Sequence, residues 1–209
     1  MYGDGALTFR EFAMGEPVPL AAVHDAVLEF LRGVDDAVLF GAHAVNAYVD
    51  EPRMTQDVDI ASPRAPELAE QLRQHLAGRF HIAVRVREIG QGRGFRIYQL
   101  QKPKNRHLVD VRSVSALPPA QRIEGVLVVL PDELIANKVV AFHRRRGTPK
   151  SWSDRRDLAV MLVAFPHLKT SRGPVRDRLE AAGADEAVLA AWDDVVLQQI
   201  RPEEEDEEA

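Results

Sequence analysis

The sequence predicts an α/β chain of the α+β kind, with a helix-flanked mixed β-sheet followed by a helical C-terminal half. Three observations predict it. Two short runs, 37–40 and 56–61, bracket a Gly turn and a stretch with helical spacing. Between residues 80 and 130 the apolar period is two, as in half-buried strands. From Pro131 onward the spacing is that of amphipathic helices.

The elements follow in order. Residues 20–31 place Val23, Val27, Phe30 and Leu31 at helical spacing, and Gly33 is a stop signal. Residues 37–40 are apolar throughout and short enough for a buried strand. A helix over 42–49 is broken by Asp50-Glu51-Pro52, and 56–61 is the second strand. Residues 66–77 form an amphipathic helix ending near Gly78. Strands are expected over 80–87, 95–100, 108–114 and 123–130, with a hairpin loop at 90–94. Pro131, Asp132 and Glu133 open a helix over 132–146: proline needs no N–H partner there, and acids sit at the positive end of the dipole. Helices over 152–165, 174–182 and 185–200 complete the chain. The domain expectation is a core over 18–130, a helical region over 131–201 and a disordered acidic tail over 202–209.

Composition narrows the function. A chain of 209 residues with 45% hydrophobic and 28% charged residues is ordinary for one globular core with a small appendage. The absence of cysteine excludes disulfides, iron–sulfur clusters and Cys-ligated zinc, and fits a reducing cytosol. Asp4, Arg10 and Glu11 interrupt any signal-peptide apolar stretch, and no run approaches the roughly 20 apolar residues of a membrane span. A cytoplasmic protein with no membrane partner is expected. The net charge of −5 conceals an asymmetry: six acids lie between Glu203 and Glu208, and the rest of the chain carries +1. Such a tail is a solvated segment, so overall acidity does not argue against a nucleic-acid partner.

Asp57 and Asp59 carry the chemistry. On a strand, residues two apart project to the same side. Two carboxylates held that close repel unless a cation lies between them, and hard oxygen ligands suit Mg²⁺ with substrate phosphates. That pattern implies metal-assisted phosphoryl or nucleotidyl transfer; a solvated strand end is the plain alternative. Gly41 permits close backbone approach at a strand-to-helix turn, and free N–H groups there suit phosphate, so Gly41 and Ala42 form a candidate cradle or a simple tight turn. Lys138 shares the apolar helix face of Leu134 and Phe142, where a lysine either snorkels or meets an anion. Asp154 and Asp157, with Arg155 and Arg156 between them, read as an intrahelical ion-pair network or as part of a site. The seven histidines have no zinc-like spacing, and none is assigned a metal role. Two basic regions could meet nucleic acid: Arg93, Arg96, Lys102, Lys104 and Arg106 around Tyr98, and Arg144, Arg145, Arg146 and Lys150.

These residues stand in a telling order: Gly41-Ala42, then Arg53, Thr55, Asp57 and Asp59 on alternate positions, then Asp110 in His107-Leu108-Val109-Asp110-Val111, then Lys138, then Asp154-Arg155-Arg156-Asp157-Leu158. Over residues 37–162 the chain resembles the nucleotidyltransferase superfamily, and within it the AbiEii-like abortive-infection and toxin nucleotidyltransferases. The resemblance implies a nucleotidyltransferase-like fold and an enzyme that moves NMP from an NTP to a hydroxyl, with Mg²⁺ or Mn²⁺ as cofactor. It implies metal ligation by Asp57, Asp59 and Asp110, with Asp110 also drawing the acceptor's proton. Gly41, Ala42, Arg53, Thr55 and Lys138 would contact the nucleotide, and Asp157 would orient Lys138 or an arginine. The implied acceptor is RNA, such as a tRNA 3′ end, and the implied setting a toxin–antitoxin pair with an antitoxin protein as partner. A small-molecule or protein acceptor is a second reading. A nucleotide-binding module without turnover is a third, favoured by Ala42 where the superfamily usually has Ser.

Overall fold

Val58, Ile60, Val109 and Val111 are buried to at least 99%, and their alternation with polar neighbours decides which side of the central strands faces the core. The computed structural model describes residues 18–200; the expected acidic tail lies outside the described residues. Strands β1 (Val38–Phe40), β2 (Val58–Ser62), β3 (Val84–Ile89), β4 (Gly94–Gln99), β5 (Arg106–Ser113), β6 (Ala120–Ile123) and β7 (Val126–Val129) form one sheet of order β3-β4-β5-β2-β1-β7-β6. The sheet is mixed: β2 runs parallel to β5 and β1 parallel to β7, while the other neighbours are antiparallel.

Helix α1 (Leu20–Leu31) precedes β1, and the short α2 (Gly41–Asn46) follows it. Helix α3 (Ala65–Phe80) buries Ala65, Leu68, Ala69, Leu72, Leu76 and Phe80, a stripe of three- and four-residue steps that covers β2 to β5. Phe80 was expected to open a strand. Instead it is the last knob of that stripe, four residues after Leu76, and His81 ends the helix in the left-handed conformation at φ 52°. The strand consequently begins at Val84.

The single strand expected over 123–130 is a hairpin. Glu124 and Gly125 have φ of 48° and 86°, the two positive values that a type I′ loop requires. Arg122 Nη1 and the Gly33 N–H both donate to the Gly125 carbonyl, at 2.7 and 3.0 Å. A Glu-Gly pair is an inconspicuous turn signal, which is why β6 was not foreseen.

After β7 come α4 (Pro131–Arg144), α5 (Pro149–Ala164), a 3₁₀ turn (Pro166–Leu168), α6 (Pro174–Ala181) and α7 (Glu186–Leu197). Backbone contacts divide the described chain into two units, residues 18–43 with 53–129 and residues 44–52 with 130–200. The first contains the whole sheet. In the second, α4 packs against α5, α6 and α7. Trp192 is fully buried there and donates its indole N–H to the Thr170 carbonyl at 3.2 Å. The Asp185 side chain caps α7 by accepting from the Val188 N–H at 2.9 Å. Among the described residues no helix is long and apolar enough to cross a membrane.

The β6–β7 turn yields a clean stability test. A Cβ on Gly125 would meet Arg32 Cγ at 3.5 Å, an ordinary contact, so Gly125→Ala suffers only the left-handed backbone penalty. A loss of about 1 kcal/mol is expected, read as a lower urea midpoint at unchanged slope. An unchanged midpoint would show that the turn relaxes at no cost.

Candidate functional site

Strand register assembles the site. Asp59 on β2 is the partner of Phe40 at the end of β1 and of Asp110 on the parallel strand β5. Neighbours in register point to the same face, so Asp59 and Asp110 lie side by side, opposite the face that α3 covers. Gly41 follows Phe40 with φ +72°, and a Cβ placed there would sit 2.8 Å from Asp59 Cγ, inside any permissible contact. Glycine is therefore required at 41 both by its backbone and by the carboxylate beside it.

Asp57 immediately precedes β2 and is tied to the others through His107. The His107 ring places Nδ1 3.1 Å from Asp57 Oδ2 and Nε2 3.4 Å from Asp110 Oδ1. Arg96, the β4 partner of Asp110, donates from Nε to the same Oδ1 at 2.9 Å. His107 is the functional residue that sequence reasoning missed. In a regular strand, residues 107 and 110 would face opposite sides. The pairing of β4 with β5 steps from Ile97–Val109 to Tyr98–His107, so Leu108 is an extra residue, a β-bulge. The bulge turns His107 to the carboxylate side, and Leu108 and Val109 are both buried as a result. Nothing in residue types alone announces it.

Burial pushes the His107 pKa down, but its contacts with Asp110 and Asp57 outweigh burial and raise it to about 10. The imidazolium and Arg96 thus offset the clustered carboxylates. Asp57, His107 and Asp110 each offer an atom within 4.8 Å of the others, a set of the size that a divalent cation gathers. The donors fit a metal on chemical grounds: carboxylate oxygens beside an imidazole whose Nε2 is buried without a hydrogen-bond partner. Asp59 adjoins this set through its register with Asp110.

The remaining expected residues take distinct places. Thr55 donates its hydroxyl to the Asp57 carbonyl at 3.1 Å, fixing the loop that aims Asp57, and Arg53 donates to the Met54 carbonyl at 3.2 Å. Ala42 is 7% exposed at the start of α2, with only its backbone to offer a ligand. His43 follows it and meets His24 edge-on, 4.5 Å between ring centres. Burial, then the neighbouring His24, lowers His43 to about 4, so it is neutral at pH 7. In the expected basic region, Arg96 is committed to Asp110, Arg93 to the Gly90 carbonyl and Arg106 to the Val18 carbonyl, while the Tyr98 ring lies 5.2 Å from that of His107.

The second unit has a polar cluster of its own. Lys138, 8% exposed on α4, does not snorkel: its Nζ donates to Asp157 Oδ2 at 2.5 Å and lies 3.7 Å from Asp154 Oδ1. Arg145 closes the cluster on Asp154 at 2.9 Å. The network expected within one helix is corrected accordingly. Arg155 and Arg156 instead reach Gln198 and the Glu51 carbonyl, because Asp154 and Asp157 face α4 while the two arginines point outward.

Comparison with known proteins agrees with this architecture. Residues 28–207 match the family model described as nucleotidyl transferase AbiEii toxin, Type IV TA system. Among solved structures, JHP933 from Helicobacter pylori is similar at 16% identity and a TM-score of 0.56, with 93% of this chain and 84% of that one covered. A proposed nucleotidyltransferase from H. pylori gives 15%, 0.57, 93% and 86% in the same order. The Megavirus polyadenylate synthase gives 13% identity and a TM-score of 0.55 over 70% of this chain, which spans about a third (32%) of that protein. At these identities the likeness is one of fold. No curated protein sequence matches the chain.

Two predictions follow from these environments. His43 has a folded pKa below its unfolded value of 6.5, so the unfolded state takes up the proton first. Its contribution is fully present above about pH 6.5 and is lost as pH falls toward about 4. His107, raised to about 10, stays protonated in the folded state while its unfolded form titrates near 6.5, so it adds a small opposing slope at the top of the window in wild type and variant alike. Denaturation midpoints should therefore fall between pH 6.5 and 4.5 in the wild type and less steeply in His43→Phe, where His24, also lowered by burial, keeps its own share; equal slopes would sink the assignment. For the buried pair, Asp157→Ala should cost about 3 kcal/mol by stranding Lys138. The double variant with Lys138→Met should lose less than the sum of the singles, as chemical denaturation would read. Strict additivity would mean that the pair is not energetically coupled.

Proposed function

The chain belongs to the AbiEii nucleotidyltransferase toxin family, and on that premise we propose that it transfers NMP from an NTP to a hydroxyl of an RNA acceptor with the aid of Mg²⁺ or Mn²⁺. The observation that supports the reading is the gathering of Asp57, His107 and Asp110, with Asp59 in register beside Asp110 and the Gly41 backbone against Asp59.

In this reading Asp57, Asp59 and Asp110 hold the divalent ions, which supply charge stabilisation to an in-line displacement at the α-phosphorus. The acceptor oxygen bonds to that phosphorus as the bond to the bridging oxygen breaks, and pyrophosphate leaves. Asp110 receives the acceptor's proton; Arg96 and His107 both engage its Oδ1 and so fix its orientation. Gly41 and Ala42 offer backbone N–H groups to the triphosphate, which Ala42 cannot supplement with a hydroxyl. Arg53 and Thr55 position the loop beside it. On family resemblance alone, Lys138 supplies charge to the triphosphate with Asp157 as its holder. A toxin role with an antitoxin partner, acting in the cytoplasm on tRNA, is the biological setting we propose.

The test is incubation with a divalent ion, each labelled NTP and total tRNA. Label on RNA with the wild type should fall at least about a hundredfold in Asp57→Ala and Asp59→Ala. The rival reading, a binding module without turnover, is favoured by the engagement of Asp110 with two cationic groups. Metal-dependent NTP binding without pyrophosphate release from any acceptor would establish it instead.

A further inference from the structure

We propose that His107 is a nitrogen ligand of the divalent-cation site and biases it toward Mn²⁺ over Mg²⁺, an inference that rests on the metal-dependent reading of the same site. Three features of the ring point there.

The first is spacing. Nδ1 and Nε2 lie 3.1 and 3.4 Å from oxygens of Asp57 and Asp110. An ion at about 2.1 Å from each donor sets adjacent ligands about 3 Å apart, so Nε2 and Asp110 Oδ1 are already near that separation.

The second is division of labour between the two nitrogens. Nδ1 faces Asp57, while Nε2 is buried and makes no hydrogen bond. A metal-binding imidazole characteristically donates its other N–H to a carboxylate, which fixes the tautomer; the ion would take the place of the Nε2 proton, which is released to solvent on binding. Asp57 Oδ2 occupies that supporting position here, in addition to the place of Asp57 in the ligand set. Bulk solvent does not satisfy Nε2, and Asp110 Oδ1 at 3.4 Å lies outside hydrogen-bond geometry.

The third is the bulge at Leu108. Were Leu108 paired in regular register instead of bulged, His107 would turn into the α3-covered face and leave the carboxylates as an all-oxygen set. Besides burying Leu108 and Val109 together, the backbone irregularity delivers an imidazole to the carboxylates.

Donor chemistry then sets the preference. Mg²⁺ favours oxygen ligands and gives up its waters reluctantly, whereas affinity for nitrogen rises along the first-row series from Mn²⁺ onward. An imidazole therefore adds more to Mn²⁺ binding than to Mg²⁺ binding. The other account of His107 is a cationic clasp that only holds Asp57 and Asp110 together; removing such a clasp would strengthen binding of both ions.

The experiment titrates Mn²⁺ and Mg²⁺ separately into the wild type and His107→Gln by calorimetry, with circular dichroism to verify that the variant is folded. Bound Mn²⁺ is then examined by pulsed electron paramagnetic resonance. The wild-type spectrum should carry ¹⁴N modulation that vanishes in His107→Gln. The variant's Kd for Mn²⁺ should rise about tenfold or more, in the range typical of lost support at a metal site, and its Kd for Mg²⁺ by a smaller factor. Bound Mn²⁺ without nitrogen modulation, modulation that persists in the variant, or tighter binding of both ions by His107→Gln would each overturn this inference alone. A wild type that binds neither ion would bring down the metal-dependent reading as well. The wild-type spectrum decides the matter even where the variant does not fold.

Discussion

Carboxylates on neighbouring strands repel, and the centre of this sheet sets Asp59 beside Asp110 in parallel register with Asp57 one step upstream. Much of the local structure follows from accommodating that charge. Gly41 lies in the left-handed region against Asp59, where any side chain would collide with the carboxylate. Arg96 is placed directly across from Asp110 by the β4–β5 pairing and holds its Oδ1. The bulge at Leu108 brings in His107 to lie between Asp57 and Asp110. The compensating charges come from the open side, since the opposite face is apolar and covered by α3.

The histidines of the first unit show how strongly position governs charge there. His43 and His107 both feel Asp57, yet burial drives His43 down to about 4 and carboxylate contacts lift His107 to about 10. His43 meets another buried imidazole and has an unpartnered Nε2, so a proton on it would be unpaired. His107 meets two carboxylates and gains from a positive charge. The imidazoles at the start of α2 are thereby neutral, whereas the cationic Arg96 and His107 lie on the carboxylate face.

Much of this was legible in residue order. The strand–Gly–helix entry, the alternate carboxylates 57 and 59, and the apolar flanks of Asp110 all follow from periods of two and 3.6, and they locate the sheet centre correctly. What residue types could not reveal was the register. A bulge adds one residue without altering composition, so nothing in the sequence placed His107 beside Asp57 and Asp110. The Glu124-Gly125 turn was hidden for a similar reason, because only the backbone angles reveal it. Phe80 was misplaced because a helix stripe and a strand start are indistinguishable at one aromatic residue; packing along α3 decided it.

The second unit meets its charge problem differently, by burial. Lys138, Asp157 and Asp154 are at most 8% exposed, with Arg145 at the edge on Asp154. A buried ion pair is seldom more stable than apolar side chains of the same volume, since desolvating both charges consumes what their attraction returns. The pair on the buried face of α4 is therefore weak ground for stability. What the arrangement does supply is a fixed ammonium: a 2.5 Å bond to a fully buried carboxylate removes the rotamer freedom that a surface lysine would have to lose on meeting a ligand. The sheet unit holds negative charge open to solvent and corrects it with neighbours, whereas the helical unit pairs its charges in advance. Both devices hold ionised groups in fixed positions, one through neighbours across the strands and the other through burial.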